Sequence, residues 1–239
     1  AISRIFHRKQ NALSQNGRKI IENSDIALVH YGDLAYELSG ELRKTSILFA
    51  VIFHGVDAAR RLPALPPEER KKLWDFMTIG LPVSDFFRER LIKLGCPPEK
   101  LTVQHMGVDI SEFSPKEITE ENCFRILSVC RLVEKKGIDI ALEAIAEIIK
   151  ENPGIKLKYD IAGDGPDKEK LEEKASELGI TGAVTFHGSV NTLKVRELIA
   201  QNGIFVLPSR TSLKGDMEGI PVSLMEAMAS GRAVVSTFH

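Results

Sequence analysis

Two glutamates eight residues apart, Glu218 and Glu226, flank the start of the segment EGIPVSLMEAMASG at 218–231. A carboxylate accepts hydrogen bonds from paired hydroxyls such as those of a hexose or a ribose. The N–H groups of a helix start lying between two such acids favour a phosphate. Pro221 suits a first helical position, so the pattern predicts a helix from near Ile220, with Val222, Leu224, Met225, Met228 and Ala229 as its apolar stripe and Gly231 as its stop. At 1.5 Å per residue the two carboxylates then stand about 8–12 Å apart, the reach of a sugar joined to a nucleotide. Taken alone, two such glutamates are more often an acidic turn and a solvated face, so their meaning depends on what precedes them.

Upstream, RLVEKKG (131–137) closes one apolar run and opens a helical pattern. It sets Arg131, Lys135 and Lys136 at the positive end of a helix dipole, which suits a diphosphate. AGDGP (162–166) supplies two glycines for a tight turn or a close backbone approach. It is not a dinucleotide fingerprint, because Lys168 stands where a third glycine or alanine belongs. HGSV (187–190) ends another apolar run, where the backbone of Gly188, Ser189 and Val190 can edge a nucleobase; the plain alternative is a turn with His187 in solvent. In the first half, His54 of FHGVD (53–57) also ends an apolar run, and an imidazole there can bond a sugar hydroxyl or a developing charge. His30 and His105 end runs in the same way, and periodicity does not choose among the three.

Positioning these groups requires strands that stop where the loops begin. Apolar runs at 25–32, 47–55, 81–84 and 101–107 alternate with helical patterns at 33–43, 66–80 and 85–95. A polar, helix-like stretch with Arg4, Arg8, Lys9, Arg18 and Lys19, interrupted near Gly17, precedes them at 1–23. After an acid-rich, Pro115-containing linker at 108–122 the alternation restarts, with strands at 124–130, 156–163, 183–188, 204–209 and 233–237 and helices at 137–150, 167–179, 192–202 and 220–230. Repeated strand–helix units with apolar strands imply an α/β fold of parallel sheets covered on both faces. Two domains follow, 1–115 and 116–239, facing a cleft, with the loops after Cys130, Gly163, His187 and Ser209 at the carboxyl ends of their strands.

Composition narrows the classes. With 43% hydrophobic and 27% charged residues over 239, the chain can bury a core. It carries no apolar run of membrane-spanning length and no leader pattern. Residues 1–100 hold 16 Lys/Arg against 12 Asp/Glu and 101–239 hold 16 against 21, which is too even for a nucleic-acid surface. A mildly basic first half leaves peripheral contact with an anionic membrane open. Cys96, Cys123 and Cys130 have neither pairing rhythm nor metal spacing, so reduced, buried thiols in a cytoplasmic protein and no metal are expected.

Taken in order, RLVEKKG, AGDGP, FHGSV, IFVLPS and EGIPVSLMEAMASGRAVVST resemble the second half of glycosyltransferase family 4, whose members have the two-domain, Rossmann-like GT-B fold. FHGVD, PVS and MGVDISEFSP (106–115) resemble that family's first half and its entry to the second domain more loosely. The resemblance implies a retaining hexosyltransferase that uses a UDP- or GDP-sugar donor and a saccharide or lipid-linked acceptor, in surface polysaccharide or glycolipid biosynthesis. It implies a place in the cytoplasm or at the inner face of a membrane, and no cofactor or metal.

Residue by residue, it implies that Arg131 and Lys136 hold the donor diphosphate, Glu218 and His54 meet the donor sugar, Glu226 binds the ribose, and the backbone of Gly188, Ser189 and Val190 approaches the base. Against the family's pattern, elements are expected to be missing at both ends. A double-displacement scheme needs carboxyls about 5 Å apart, closer than these glutamates readily come. The competing readings are a noncatalytic nucleotide-sugar binder and a Rossmann-type oxidoreductase, and the failed glycine fingerprint speaks against the latter. The donor base, its sugar and the acceptor are not legible.

Overall fold

The apolar runs at 47–53 and 124–129 become the inner strands of two separate all-parallel sheets. The computed structural model describes residues 14–238. They fall into two compact units: residues up to Met106 together with Leu213–Ile220, and Gly107–Ser212 together with Pro221 onward.

The first unit carries β1 (Ile26–His30), β2 (Leu48–Phe53) and β3 (Ile79–Pro82) in that spatial order, with helices α1 (Gln15–Glu22), α2 (Gly32–Leu42), α3 (Pro67–Phe76) and α4 (Asp85–Lys93). Its core gathers Phe49, Val51, Phe53, Leu62, Leu73, Trp74, Met77 and Leu91, and Met217 and Ile220 of the 213–220 segment pack against it. The second unit carries β4 (Arg125–Val129), β5 (Lys158–Ala162), β6 (Val184–Gly188), β7 (Ile204–Leu207) and β8 (Ala233–Ser236), ordered β6-β5-β4-β7-β8. Its helices are α5 (Ile138–Glu151), α6 (Lys168–Glu177), α7 (Thr192–Gln201) and α8 (Val222–Ala229). Two apolar clusters form there, one on α5 and α6 and one on α7 and α8, as a parallel sheet buried on both faces demands.

Several expectations are corrected. The expected break at Gly17 is absent: α1 starts where Ser14 Oγ accepts from Gly17 N–H at 3.1 Å and runs on to Glu22. Arg4, Arg8 and Lys9 lie outside the described residues. Among the described residues the run at 25–32 is an edge strand and not a buried one, leaving Ile26 and Leu28 58% and 50% exposed. The helix expected over 66–80 stops at Phe76, where Lys100 Nζ caps the end by donating to the carbonyls of Trp74 (2.6 Å) and Met77 (2.8 Å). The strand expected at 101–107 is reduced to one bridge between Leu101 and Gly80. Thr102 and Gln104 donate to the carbonyls of Gly80 and Pro82, but Pro82 has no N–H to return, and the ladder halts. Within the anticipated linker, Phe113 is buried in the second unit's core. Pro221 is the cap of α8 and not its first residue, and the helix turns Ala227 inward while Met228 is 65% exposed. Of the thiols only Cys96 is buried, and burial pushes its pKa up to about 12; Cys123 and Cys130 are half-buried, and none of the three is in a disulfide.

Among the described residues no helix is long and apolar enough to cross a membrane. Inside the second sheet, Ser128 Oγ meets the hydroxyl of fully buried Tyr159 at 2.7 Å and donates to the Val206 carbonyl, tying β4, β5 and β7 together. Ser128→Ala strips the Tyr159 hydroxyl of this partner. It is expected to cost about 1–3 kcal/mol in urea unfolding, the penalty of a buried unsatisfied group. An unchanged midpoint would show that this bond contributes nothing.

Candidate functional site

In the second unit the strand order reverses direction between β4 and β7, and open parallel sheets bind ligands outside the carboxyl ends of their strands at such a point. A cavity of about 380 Å³ lies at these ends, lined by Val129, Cys130 and Arg131 after β4, Ala162, Gly163 and Asp164 after β5, Ser189 and Val190 after β6, and Val195 of α7.

The cavity's floor is main chain packed on main chain. A Cβ on Gly163, whose φ is +142°, would fall 1.8 Å from the Cys130 carbonyl oxygen, and one on Gly165 would fall 2.2 Å from that of Leu132. Gly163 N–H donates to the Gly188 carbonyl at 2.8 Å, and Leu132 N–H donates to the Asp164 carbonyl at 2.9 Å. The glycines of AGDGP therefore permit a close approach between loops and do more than turn the chain. Gly137, at φ +66°, does the same at the start of α5, where a Cβ would lie 1.9 Å from the Pro208 carbonyl oxygen.

Arg131 stands exposed at the cavity mouth. Lys136 sits in a 3-10 turn, Glu134–Lys136, that leads through Gly137 into the positive end of α5. A pairing the sequence reading missed stiffens this turn: Arg210 N–H donates to the Lys135 carbonyl and Arg210 Nη2 to Asp139 Oδ2, both at 2.8 Å. The signal available was a cation directly after a strand-ending Pro-Ser. His187 is not solvated; its Nε2 contacts Asp160 Oδ1 at 2.8 Å, and Arg125 holds the other oxygen of that buried carboxylate at 3.0 Å.

The cavity thus brings together Arg131, Ser189 and Val190, with Gly188 bonded to its floor, whereas Lys136 and Glu226 are not among its lining residues. Glu226 lies half-buried on α8, where burial raises its pKa and Arg196 opposes the rise. Arg196 follows Val195 on α7, stacks over the Phe113 ring at 5.4 Å and donates to Glu112.

The other predicted residues lie in the first unit. FHGVD assigns a task to nearly every position. Phe53 is fully buried, and Gly55 lets the 213–220 segment pass, since a Cβ there would meet the Met217 carbonyl oxygen at 2.5 Å and Gly219 N at 2.8 Å. Asp57, fully buried at the start of a π-helical turn (Asp57–Arg61), accepts from Gly32 N–H at 2.8 Å, and burial pushes its carboxyl pKa up. Glu218 is therefore carried beside the end of β2, and His54 precedes the glycine it passes. The His54 ring lies 4.5 Å from that of Tyr31, and its Nε2 is 3.0 Å from His30 Nδ1. His105 is exposed. Among the described residues no group of three or more His, Cys, Asp or Glu side chains is placed to hold a metal ion.

Residues 109–239 match the family model for glycosyl transferases group 1. The chain is 38% identical over 224 residues to the amylovoran biosynthesis glycosyltransferase AmsK of Erwinia amylovora, covering 90% of this chain and 54% of that protein. It is 27% identical over 233 residues to the GDP-mannose-dependent alpha-(1-6)-phosphatidylinositol monomannoside mannosyltransferase of Mycobacterium tuberculosis (strain ATCC 25618 / H37Rv), covering 92% and 60%. The chain thus spans little more than half the length of these relatives. Among solved structures, Anabaena Alr3699/HepE in complex with UDP and glucose superposes with a TM-score of 0.72 at 17% identity, over 92% of this chain and 60% of that one.

Proposed function

Since this chain belongs to the glycosyl transferases group 1 family, we propose that it carries the donor-binding machinery of a retaining hexosyltransferase of glycosyltransferase family 4. The enzyme moves a sugar from a UDP- or GDP-hexose to a saccharide or lipid-linked acceptor in surface polysaccharide or glycolipid assembly. The observation that carries this reading is the cavity at the ends of β4, β5 and β6, with Arg131 at its mouth and a glycine-permitted main-chain floor. The relatives support it in kind: one is named for amylovoran biosynthesis, another for GDP-mannose dependence, and HepE binds UDP and glucose.

In this reading Arg131, Lys136 and the positive end of α5 hold the diphosphate, and the backbone at Gly188, Ser189 and Val190 edges the base. Glu226 accepts from the ribose hydroxyls, for which it must be ionised, and Arg196 favours that state against the pull of burial. Glu218 and His54 contact the hexose. The bond from the sugar's anomeric carbon to the diphosphate oxygen breaks while a bond to the acceptor oxygen forms on the same face. The acceptor's proton passes to the departing diphosphate oxygen. Cationic side chains and helix N–H groups neutralise that leaving group, so the reading calls on no metal.

The test is a thermal-shift and transfer screen against UDP, GDP and ADP and their sugars. Lys136→Ala and Glu226→Ala are each expected to weaken nucleotide binding about tenfold or more, the worth of a charge-assisted hydrogen bond. Glu218→Ala should cut transfer while sparing bare nucleotide. Equal nucleotide binding by wild type and Lys136→Ala would remove the diphosphate role, and protection by nucleotide without any product would leave a noncatalytic binder.

A further inference from the structure

His54 is not a free-standing imidazole. Its Nε2 lies 3.0 Å from Nδ1 of His30, which ends the neighbouring strand, in register with Ile52. The two rings are within 15° of parallel with centroids 5.2 Å apart. A 3.0 Å nitrogen–nitrogen separation extended by a ring radius at each end accounts for that centroid distance, so the contact is an in-plane N–H···N bond and not a face-to-face stack. His54 also meets Tyr31, whose φ of +74° makes it the single non-glycine residue at positive φ among the described residues. Such strain persists only where surrounding structure holds it. Tyr31 is held by its own N–H, which donates to the Ile52 carbonyl at 2.9 Å, and by its carbonyl, which accepts from Ala35 N–H at 3.0 Å.

We propose that His30 is the positioning residue of His54: by occupying Nε2 it leaves Nδ1 as the one nitrogen of His54 that a ligand can use. The inference rests on the glycosyltransferase reading for its role in turnover, though the pairing itself does not.

The chemistry follows from the inventory of an imidazole. In the neutral pair one ring nitrogen donates and the facing one accepts, so His54 offers a ligand hydroxyl either an Nδ1–H or an Nδ1 lone pair. A first added proton is accommodated, because a cationic ring still donates across the contact to a neutral one. A second would set N–H against N–H and break it. Burial and then the charge of His30 both disfavour a proton on His54. The other ionisable groups on the elements around the pair are Tyr31, Asp33, Tyr36, Glu37 and Glu41 at and along α2, Asp57, Arg60 and Arg61 on the turn after β2, and Lys214, Asp216 and Glu218 on the 213–220 segment. Asp33 is paired with Arg61 at 2.6 Å, and Asp57 accepts from Gly32 N–H. The sign is therefore fixed: a His54 pKa held below the usual histidine value stabilises the unit above that value, and this contribution is lost as pH falls through the folded one.

The test uses the full chain with ring-labelled histidine, read by the nitrogen shifts of His54 as a function of pH, together with kcat and KM for transfer from the donor sugar that the screen identifies. In wild type the His54 nitrogens should titrate below the usual histidine range, because burial and then the charge of His30 disfavour its proton. In His30→Phe, which keeps a ring but no nitrogen, His54 should titrate in one step at higher pH, and kcat should fall about 10- to 100-fold with little change in KM, the scale of a misplaced catalytic group. His30→Asn, whose amide can take the place of Nδ1, should restore most of kcat and serves if the phenylalanine variant does not fold. An unchanged His54 titration in His30→Phe overturns the pairing, whether or not transfer is seen. An altered titration with unchanged kcat overturns the role in turnover. Absence of transfer from every nucleotide sugar counts against the glycosyltransferase reading alone, because the nitrogen shifts still decide the pairing.

Discussion

Gly163→Ala is expected to unfold the second unit. The added methyl would sit 1.8 Å from the Cys130 carbonyl oxygen at a φ of +142°, and the obstacle is main chain, so no rotamer change relieves it. Relief requires the end of β5 to leave β4 where Cys130 N–H donates to the Ala162 carbonyl at 3.0 Å, and to leave β6 where Gly163 N–H donates to the Gly188 carbonyl at 2.8 Å. A loss of more than about 4 kcal/mol is expected, at the extreme of single substitutions. It should appear as lost helical circular dichroism and lost nucleotide protection. Gly95→Ala is the control: its φ of +93° carries conformational strain, but nothing lies within 4 Å of the added methyl. It should cost only about 1–2 kcal/mol. Melting of Gly163→Ala within a few degrees of wild type would show that the loops are not packed as described.

Arg131→Ala should leave the fold intact and remove most of the activity. The side chain is exposed at the cavity mouth and takes no part in the core, so its loss costs little stability. Against a departing diphosphate, a preorganised cationic donor is worth about 10²–10³ in kcat/KM. A bidentate guanidinium is not replaced by an ammonium, so Arg131→Lys should recover only part of it. Steady-state kinetics at fixed ionic strength, with UDP and GDP affinities measured in parallel, would check both. Full activity in Arg131→Ala would move the diphosphate elsewhere.

The parallel architecture was legible because strands buried on both faces leave continuous apolar runs, and the runs at 124–130 and 204–207 declare themselves that way. What the runs did not declare was how far they are covered. The string IALVH looks buried but forms an edge strand, and LTVQ looks like a strand but fails to pair beyond one bridge because of the missing N–H of Pro82. Neither property is local to the run. At the cavity, the placement of Arg131 and of the HGSV backbone was legible from their position after strands. Asp57, Arg196 and Arg210 were not, because each acts through a partner distant in sequence: Gly32, Glu112 and Asp139. Among the three candidate histidines, only the register of β1 on β2 shows that His30 and His54 form one unit.

Because Gly137, Gly163 and Gly165 clamp the loop backbones to one another, the floor of the proposed nucleotide pocket carries almost no chemical identity of its own. Donor preference can then drift, or be engineered, at Ser189, Val190 and Val195 along the wall while the clamp stays fixed. A combinatorial library randomised at those three wall positions should yield many folded variants with shifted base or sugar choice, and one randomised at the three clamp glycines should yield almost none.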